Sequence, residues 1–137
     1  MAAPRYLLDT NICIYIRRER PQSILSHFKA LAPGSAVISV VTYGELVYGA
    51  YKSVDPDKAL TVLQELTTLI PVLPMAVDVA HAYGALRSTL AARGELIGNN
   101  DLWIAAHARS HGLIVVTNNE REFQRVHGLS VENWANA

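Results

Sequence analysis

Three acidic residues stand where the chain leaves a short apolar segment or opens a helix. Asp9 and Glu45 each come just after an apolar segment, and Asp101 opens a helix just before another. Carboxylates that a fold brings together raise each other's pKa values, at a cost in stability unless a cation compensates. Carboxylate and water oxygens suit hard divalent cations. If these acids converge, they predict a site for Mg²⁺ or Mn²⁺, held directly or through water.

The same acids have a local explanation in helix capping. In "TYGEL", Thr42 stands three residues before Glu45, which is the spacing of a capping box at the start of a helix. Asn100 or Asp101 has the residue type of an N-cap. Taken one position at a time, capping is the simpler interpretation, whereas convergence of the three acids predicts a cation site.

Apolar segments that suit strands alternate with longer segments that suit helices. The strand candidates are 5–8, 36–41, 70–74, 113–119 and 129–134. The helix candidates are 12–20, 21–31, 42–52, 55–70, 76–93 and 101–111. This alternation predicts an α/β fold, a single three-layer α/β/α domain over residues 1–137 with a mostly parallel central sheet. Because ligands bind beyond the carboxyl ends of parallel strands, the three acids and the polar segment 117–119 are expected at one edge.

Composition limits the function classes. The chain has 137 residues, 50% of them hydrophobic, and a formal net charge of zero, which counts against binding polyanions by bulk charge alone. Cys13 is the single cysteine, so no internal disulfide forms and a reducing compartment is permitted. No apolar run approaches the roughly 20 residues of a membrane span, and no secretory signal opens the chain. We expect a cytoplasmic protein without a membrane segment.

Three other kinds of site fit the sequence less well. His107 and His111 are four residues apart, but Ala108 occupies the place where an HExxH zinc motif has its glutamate. A phosphatase of the haloacid-dehalogenase type needs Asp-x-Asp after the first strand, and here Asn11 follows Asp9 at that spacing. A receiver-like domain needs a lysine near a late strand, and all three lysines lie in the first half of the chain.

Four segments, in this order, carry a resemblance to a known family. They are "LLDTNICIYI", "SVVTYGELVYGA", "IGNNDLWIAAHARSHGLIVVTNNEREF" and "GLSVENW". Together they resemble the landmarks of PIN-domain ribonucleases, in particular VapC toxins of bacterial toxin–antitoxin pairs. The resemblance covers essentially the whole chain.

The resemblance implies a metal-dependent endoribonuclease toxin whose catalytic and metal-binding acids match Asp9, Glu45 and Asp101. It implies Mg²⁺ or Mn²⁺ as cofactor, transfer RNA or another structured RNA as substrate, and a homodimer. It also implies neutralisation by a VapB-like antitoxin, with promoter DNA bound only through that antitoxin. The alternative is a non-catalytic PIN-type module that binds RNA or a partner.

The chain departs from the family pattern after its late strand. Many members carry a fourth acid where this chain has Asn119. Glu120 or Glu122 is a possible substitute, although Glu122 is more simply assigned to packing of the following turn. We expect Asn11, Thr117 and Asn119 to orient water or the acidic ligands.

Candidate RNA contacts have less support from the sequence. The arginines that could bind phosphates are Arg17, Arg18, Arg20, Arg121 and Arg125. Tyr43, Tyr48 and Tyr51 could stack on unpaired bases, but packing in the core or in a dimer explains them as well.

Overall fold

The computed structural model describes residues 2–135, which form a parallel sheet between helices. The five strands of the described chain are β1 (Tyr6–Leu8), β2 (Ala36–Ser39), β3 (Val72–Leu73), β4 (Ile114–Val116) and β5 (Val131–Glu132). Its helices are α1 (Thr10–Arg18), α2 (Gln22–Lys29), α3 (Val40–Tyr51), α4 (Pro56–Leu69), α5 (Val77–Ala92), α6 (Asn99–His111) and α7 (Glu120–Phe123). The predicted domain limits, residues 1 and 137, lie outside the described part.

The strand order creates a crevice beside the central strand. The sheet runs β3-β2-β1-β4-β5, and every pair of neighbours is parallel. The chain proceeds from β1 through β2 to β3 at one edge, and then returns to place β4 on the other side of β1. Loops and helix N-termini therefore diverge beyond the carboxyl ends of β1 and β4, which is where such sheets bind ligands.

The sheet is buried on both faces, as its continuous apolar strands predict. Leu7 packs with residues of α5 and α6, including Leu86 and Ile104. Tyr6 and Leu8 point to the other face, where the core includes buried residues of α1, α2 and α4. This arrangement gives three layers and confirms the predicted α/β/α fold. Within residues 2–135, no helix has the length and apolarity needed to cross a membrane.

Two predicted helix starts are wrong. Helix α3 begins at Val40, where the side chain of Ser39 accepts a hydrogen bond from Val41 N at 3.1 Å. The capping box from Thr42 to Glu45 therefore does not exist, and Thr42 is buried within the helix. Helix α6 is capped by Gly98 rather than by Asn100 or Asp101. Neither Glu45 nor Asp101 is therefore needed to cap its helix.

Candidate active site

Asp9 lies at the crevice between the carboxyl ends of β1 and β4. It follows β1 directly, is the N-cap of α1, and is 7% exposed. Its Oδ1 accepts a hydrogen bond from Thr10 N at 2.7 Å, and its Oδ2 accepts one from Thr117 Oγ1 at 2.9 Å. Since Thr117 follows β4, this second bond joins the ends of β1 and β4 across the crevice. Burial raises the pKa of Asp9, and the two hydrogen bonds partly oppose the increase.

Glu45 is connected to Asp9 through a residue that the sequence analysis did not select. Thr10 Oγ1 donates a hydrogen bond to Glu45 Oε1 at 2.8 Å, while Thr10 N donates to Asp9. A single threonine thus orients two carboxylates from different helices. The two partners are 35 positions apart, and only the "DTN" context of Thr10 marked it in the sequence.

Asp101 lies in the first turn of α6 and completes the group of acids. Burial is the main cause that raises its pKa to about 7, followed by the negative charge of Asp9. A hydrogen bond with Glu122 and the charges of Glu122 and Glu45 raise the pKa of Asp101 further. Asp9 and Asp101 therefore lie within electrostatic range of each other, and each lies within range of Glu45 and Glu122. We call Asp9, Glu45, Asp101 and Glu122 the acidic cluster.

Glu122 belongs to this cluster rather than to the packing of the next turn. Its Oε1 accepts a hydrogen bond from Gly98 N, and its Oε2 accepts one from Asn119 Nδ2. A Cβ added at Gly98 would lie 3.4 Å from Glu122 Oε1 and 3.6 Å from Asp101 Oδ2. The neighbouring Phe123 does pack in the core, with no exposed surface. Glu120 instead accepts a hydrogen bond from Asn133.

Asn119 holds Glu122 in place. Its backbone N donates to Thr117 Oγ1 at 2.9 Å, and its side-chain amide donates to Glu122. The segment after β4 therefore contributes to both ends of the cluster, through Thr117 to Asp9 and through Asn119 to Glu122. Asn11 differs, since its exposed side chain makes no hydrogen bond to the described chain.

The chemistry of the cluster fits a hard divalent cation. The four carboxylates offer oxygen ligands, and the raised pKa values of Asp9 and Asp101 show that their charges are not fully compensated by other protein groups. Among the described residues, no three Asp, Glu, His or Cys side chains already meet as a ready-made ligand set. A cation here would therefore use water for part of its coordination.

The predicted RNA-contacting arginines fall into separate places. Arg17 lines a cavity of about 460 Å³ together with Thr10 and Glu45. Arg18 and Arg20 line a different cavity that includes Tyr15. The remaining two are the exposed Arg121, and Arg125, whose Nη1 donates to Leu96 O at 3.0 Å.

The tyrosines proposed for base stacking divide by exposure. Tyr43 is half-buried and packs against the core. Tyr48 and Tyr51 are 66% and 63% exposed. Of these three tyrosines, Tyr48 and Tyr51 are therefore the two with enough exposed ring surface to stack on a base.

A comparison with known families matches residues 6–129 to the PIN domain. The chain belongs to the PIN-domain family. Ribonuclease VapC2 of Haemophilus influenzae is 45% identical over 130 residues, covering 95% of this chain and 98% of the relative. The tRNA(fMet)-specific endonuclease VapC of Shigella flexneri is 45% identical over 131 residues, covering 96% and 98%. The predicted VapC-type membership is thus confirmed.

Solved structures agree with this PIN-domain assignment. The structure of VapBC-1 from nontypeable Haemophilus influenzae is similar with a TM-score of 0.88 and 38% identity, covering 97% of this chain and 98% of that one. The structure of DNA-bound VapBC from Salmonella typhimurium has a TM-score of 0.89 and 39% identity, with 96% and 98% covered. Both comparisons span almost the whole PIN domain.

Proposed function

We propose that this PIN domain is an endoribonuclease toxin of the VapC type that hydrolyses RNA phosphodiester bonds with the help of a divalent cation. The observation that carries the proposal is the acidic cluster at the strand crevice, in a chain 45% identical to ribonuclease relatives over nearly its full length. Asp9, Glu45 and Asp101 were selected from the sequence, and Glu122 joins them in the structure.

Mg²⁺ or Mn²⁺ is the cofactor that suits these residues. Asp9, Glu45, Asp101 and Glu122 would hold it, directly or through water. When bound, such a cation lowers the pKa of water and neutralises charge on a phosphate. Thr10 and Thr117 fix the orientations of Asp9 and Glu45, and Asn119 fixes that of Glu122. These neutral donors align the carboxylates without adding a cation of their own.

Structured RNA, and transfer RNA in particular, is the substrate class that we propose. The relative from Shigella flexneri is a tRNA(fMet)-specific endonuclease, and it aligns with 96% of this chain. We expect products with a 5′-phosphate and a 3′-hydroxyl. Sequencing of RNA ends after brief expression would identify the target.

A VapB-like antitoxin is the partner that we propose, together with a homodimer of this chain. The structural neighbours are VapBC complexes, and the one from Salmonella typhimurium is bound to DNA. We therefore expect promoter DNA to be bound only through the antitoxin. The cavity of about 460 Å³ beside Thr10 and Glu45 offers space for an antitoxin segment next to the acids.

The cation-dependent mechanism can be tested on purified protein free of antitoxin. Cleavage of transfer RNA should stop on chelation and should return when Mg²⁺ or Mn²⁺ is added. Asp101→Asn should abolish cleavage as well. Asp57→Asn is a matched control, since Asp57 is an exposed acid in the first turn of α4. Cleavage that persists in chelator or in Asp101→Asn would refute the mechanism.

A further inference from the structure

A small basic cavity lies outside the acidic cluster. It has a volume of about 140 Å³, and its polar lining includes Arg93, Arg109, Arg125 and His127. We infer that this cavity binds one phosphate of the RNA backbone and so positions the substrate on the acidic cluster. The inference rests on the proposed function, because it assigns the cavity to the same RNA.

The three guanidinium groups are held in place by backbone carbonyls. Arg93 Nη2 donates to Arg125 O at 2.7 Å, and Arg125 Nη1 donates to Leu96 O at 3.0 Å. Arg109 Nη1 donates to His127 O at 3.1 Å. A guanidinium has five N–H donors, so each of these groups keeps donors for a ligand. Anchored in this way, the arginines lose less conformational freedom when they bind an anion.

The charge and size of the cavity favour a phosphate group. In the described chain, Glu95 is the one acid that pairs with these arginines, through Arg93 Nε at 2.8 Å. Arg109 and Arg125 thus contribute positive charge that no carboxylate of the described residues neutralises. Arginine binds phosphate oxygens in a bidentate manner. A space of about 140 Å³ has room for a phosphate group.

Arg125 of the cavity and Glu122 of the acidic cluster are anchored on the same segment, residues 96–98. Glu122 accepts from Gly98 N, and Arg125, three residues later, donates to Leu96 O. Arg109 lies in the last turn of α6, eight residues after Asp101 and so roughly 12 Å along the helix. An RNA strand bound at the acidic cluster would therefore place a neighbouring phosphate, rather than the phosphate that is cleaved, in the basic cavity. The acids repel phosphates and the net charge of the chain is zero, so binding requires local positive charge of this kind.

The test measures RNA binding separately from RNA cleavage. Asp101→Asn serves as the parent, so that a purified transfer RNA stays intact during fluorescence anisotropy titrations at several salt concentrations. Arg109→Gln and Arg125→Gln should each lower the affinity and reduce the slope of log affinity against log salt by about 1. Arg5→Gln is the matched control, because Arg5 is an exposed arginine that does not line the cavity.

The outcomes separate this inference from the proposed function. An affinity and a salt slope equal to those of the parent in both variants would overturn it, as would an equal loss in Arg5→Gln. If a glutamine variant does not fold, the Nε–H signals of Arg93, Arg109 and Arg125 are followed by NMR while RNA is added to the parent. Shifts at these signals support the site, and unshifted signals overturn it. Failure of the wild-type chain to cleave RNA would reject the proposed function while leaving this binding result intact.

Discussion

Replacing Asp101 by Asn should remove a pH dependence from the stability of the metal-free protein. Burial, and then the charge of Asp9, raise the pKa of Asp101 from 3.8 to about 7 in the folded state. In the unfolded chain the carboxyl releases its proton near the lower value. Between these two pKa values the folded state binds more protons than the unfolded state, so the free energy of unfolding falls as the pH rises. The loss is complete once the pH exceeds the folded-state pKa.

The size of the effect follows from the pKa of Asp101. Between pH 5 and the folded-state pKa of about 7, the folded state holds about one proton more than the unfolded state. Over these roughly two pH units the free energy of unfolding falls by at most about 2.7 kcal/mol. Asp101 is partly exposed, and solvent screening reduces this ceiling. We therefore expect the wild-type protein to lose about 1–2 kcal/mol more stability over this range than Asp101→Asn does.

Urea unfolding in chelator at pH 5 and pH 8 measures this difference. At pH 5 the two proteins should be nearly equal in stability, because Asn resembles a protonated Asp in shape and polarity. At pH 8 Asp101→Asn should be the more stable protein. The control Asp57→Asn should follow the wild type at both pH values. A gap between wild type and Asp101→Asn that is the same at pH 5 and pH 8 would refute the reasoning.

Three further predictions concern other side chains. Glu45→Gln should abolish RNA cleavage yet keep or raise the melting temperature in chelator, because Gln still accepts from Thr10 while repulsion falls; retained cleavage would contradict this. Thr117→Val should lower the free energy of unfolding by about 1–3 kcal/mol in urea titrations, since buried Asp9 loses a donor; an unchanged value would count against it. Burial lowers the pKa of His107 below 6.5, so the wild type should lose stability as the pH falls below this value, and His107→Leu should lose less; equal losses at pH 5 would dismiss this effect.

The convergence of Asp9, Glu45 and Asp101 could be predicted because it depends on topology. Asp9 and Glu45 come after parallel strands, whose carboxyl ends lie at one edge of the sheet. Asp101 opens α6, which leads back to the amino end of β4 and therefore begins at that same edge. The start of α3 could not be located in the same way. Val40 and Val41 continue the β-branched run of β2 in the sequence. The change to helix is marked by the hydrogen bond that Val41 N donates to Ser39 Oγ, which the sequence pattern does not reveal.

The hydrogen bonds of Thr10 and Glu122 could not be predicted from the sequence, although Glu122 was a possible fourth acid there. Thr10 acts through a hydrogen bond to Glu45, a residue 35 positions away, and no local pattern encodes that contact. Glu122 lies in α7, a helix of four residues that is too short to show helical periodicity. Contacts of this kind depend on how distant segments pack, and become visible only in three dimensions.

Asn119 and Glu122 together explain how this chain holds a fourth carboxylate at its site although position 119 is an asparagine. Asn119 occupies the matching position, but it donates its side-chain amide to Glu122, whose carboxylate lies beside Asp101. The segment after β4 thus supplies its carboxylate from Glu122, three residues after Asn119. An Asp at position 119 would remove that donor and place a like charge against Glu122. The asparagine at position 119 therefore holds the Glu122 carboxylate in the acidic cluster, where an aspartate would repel it.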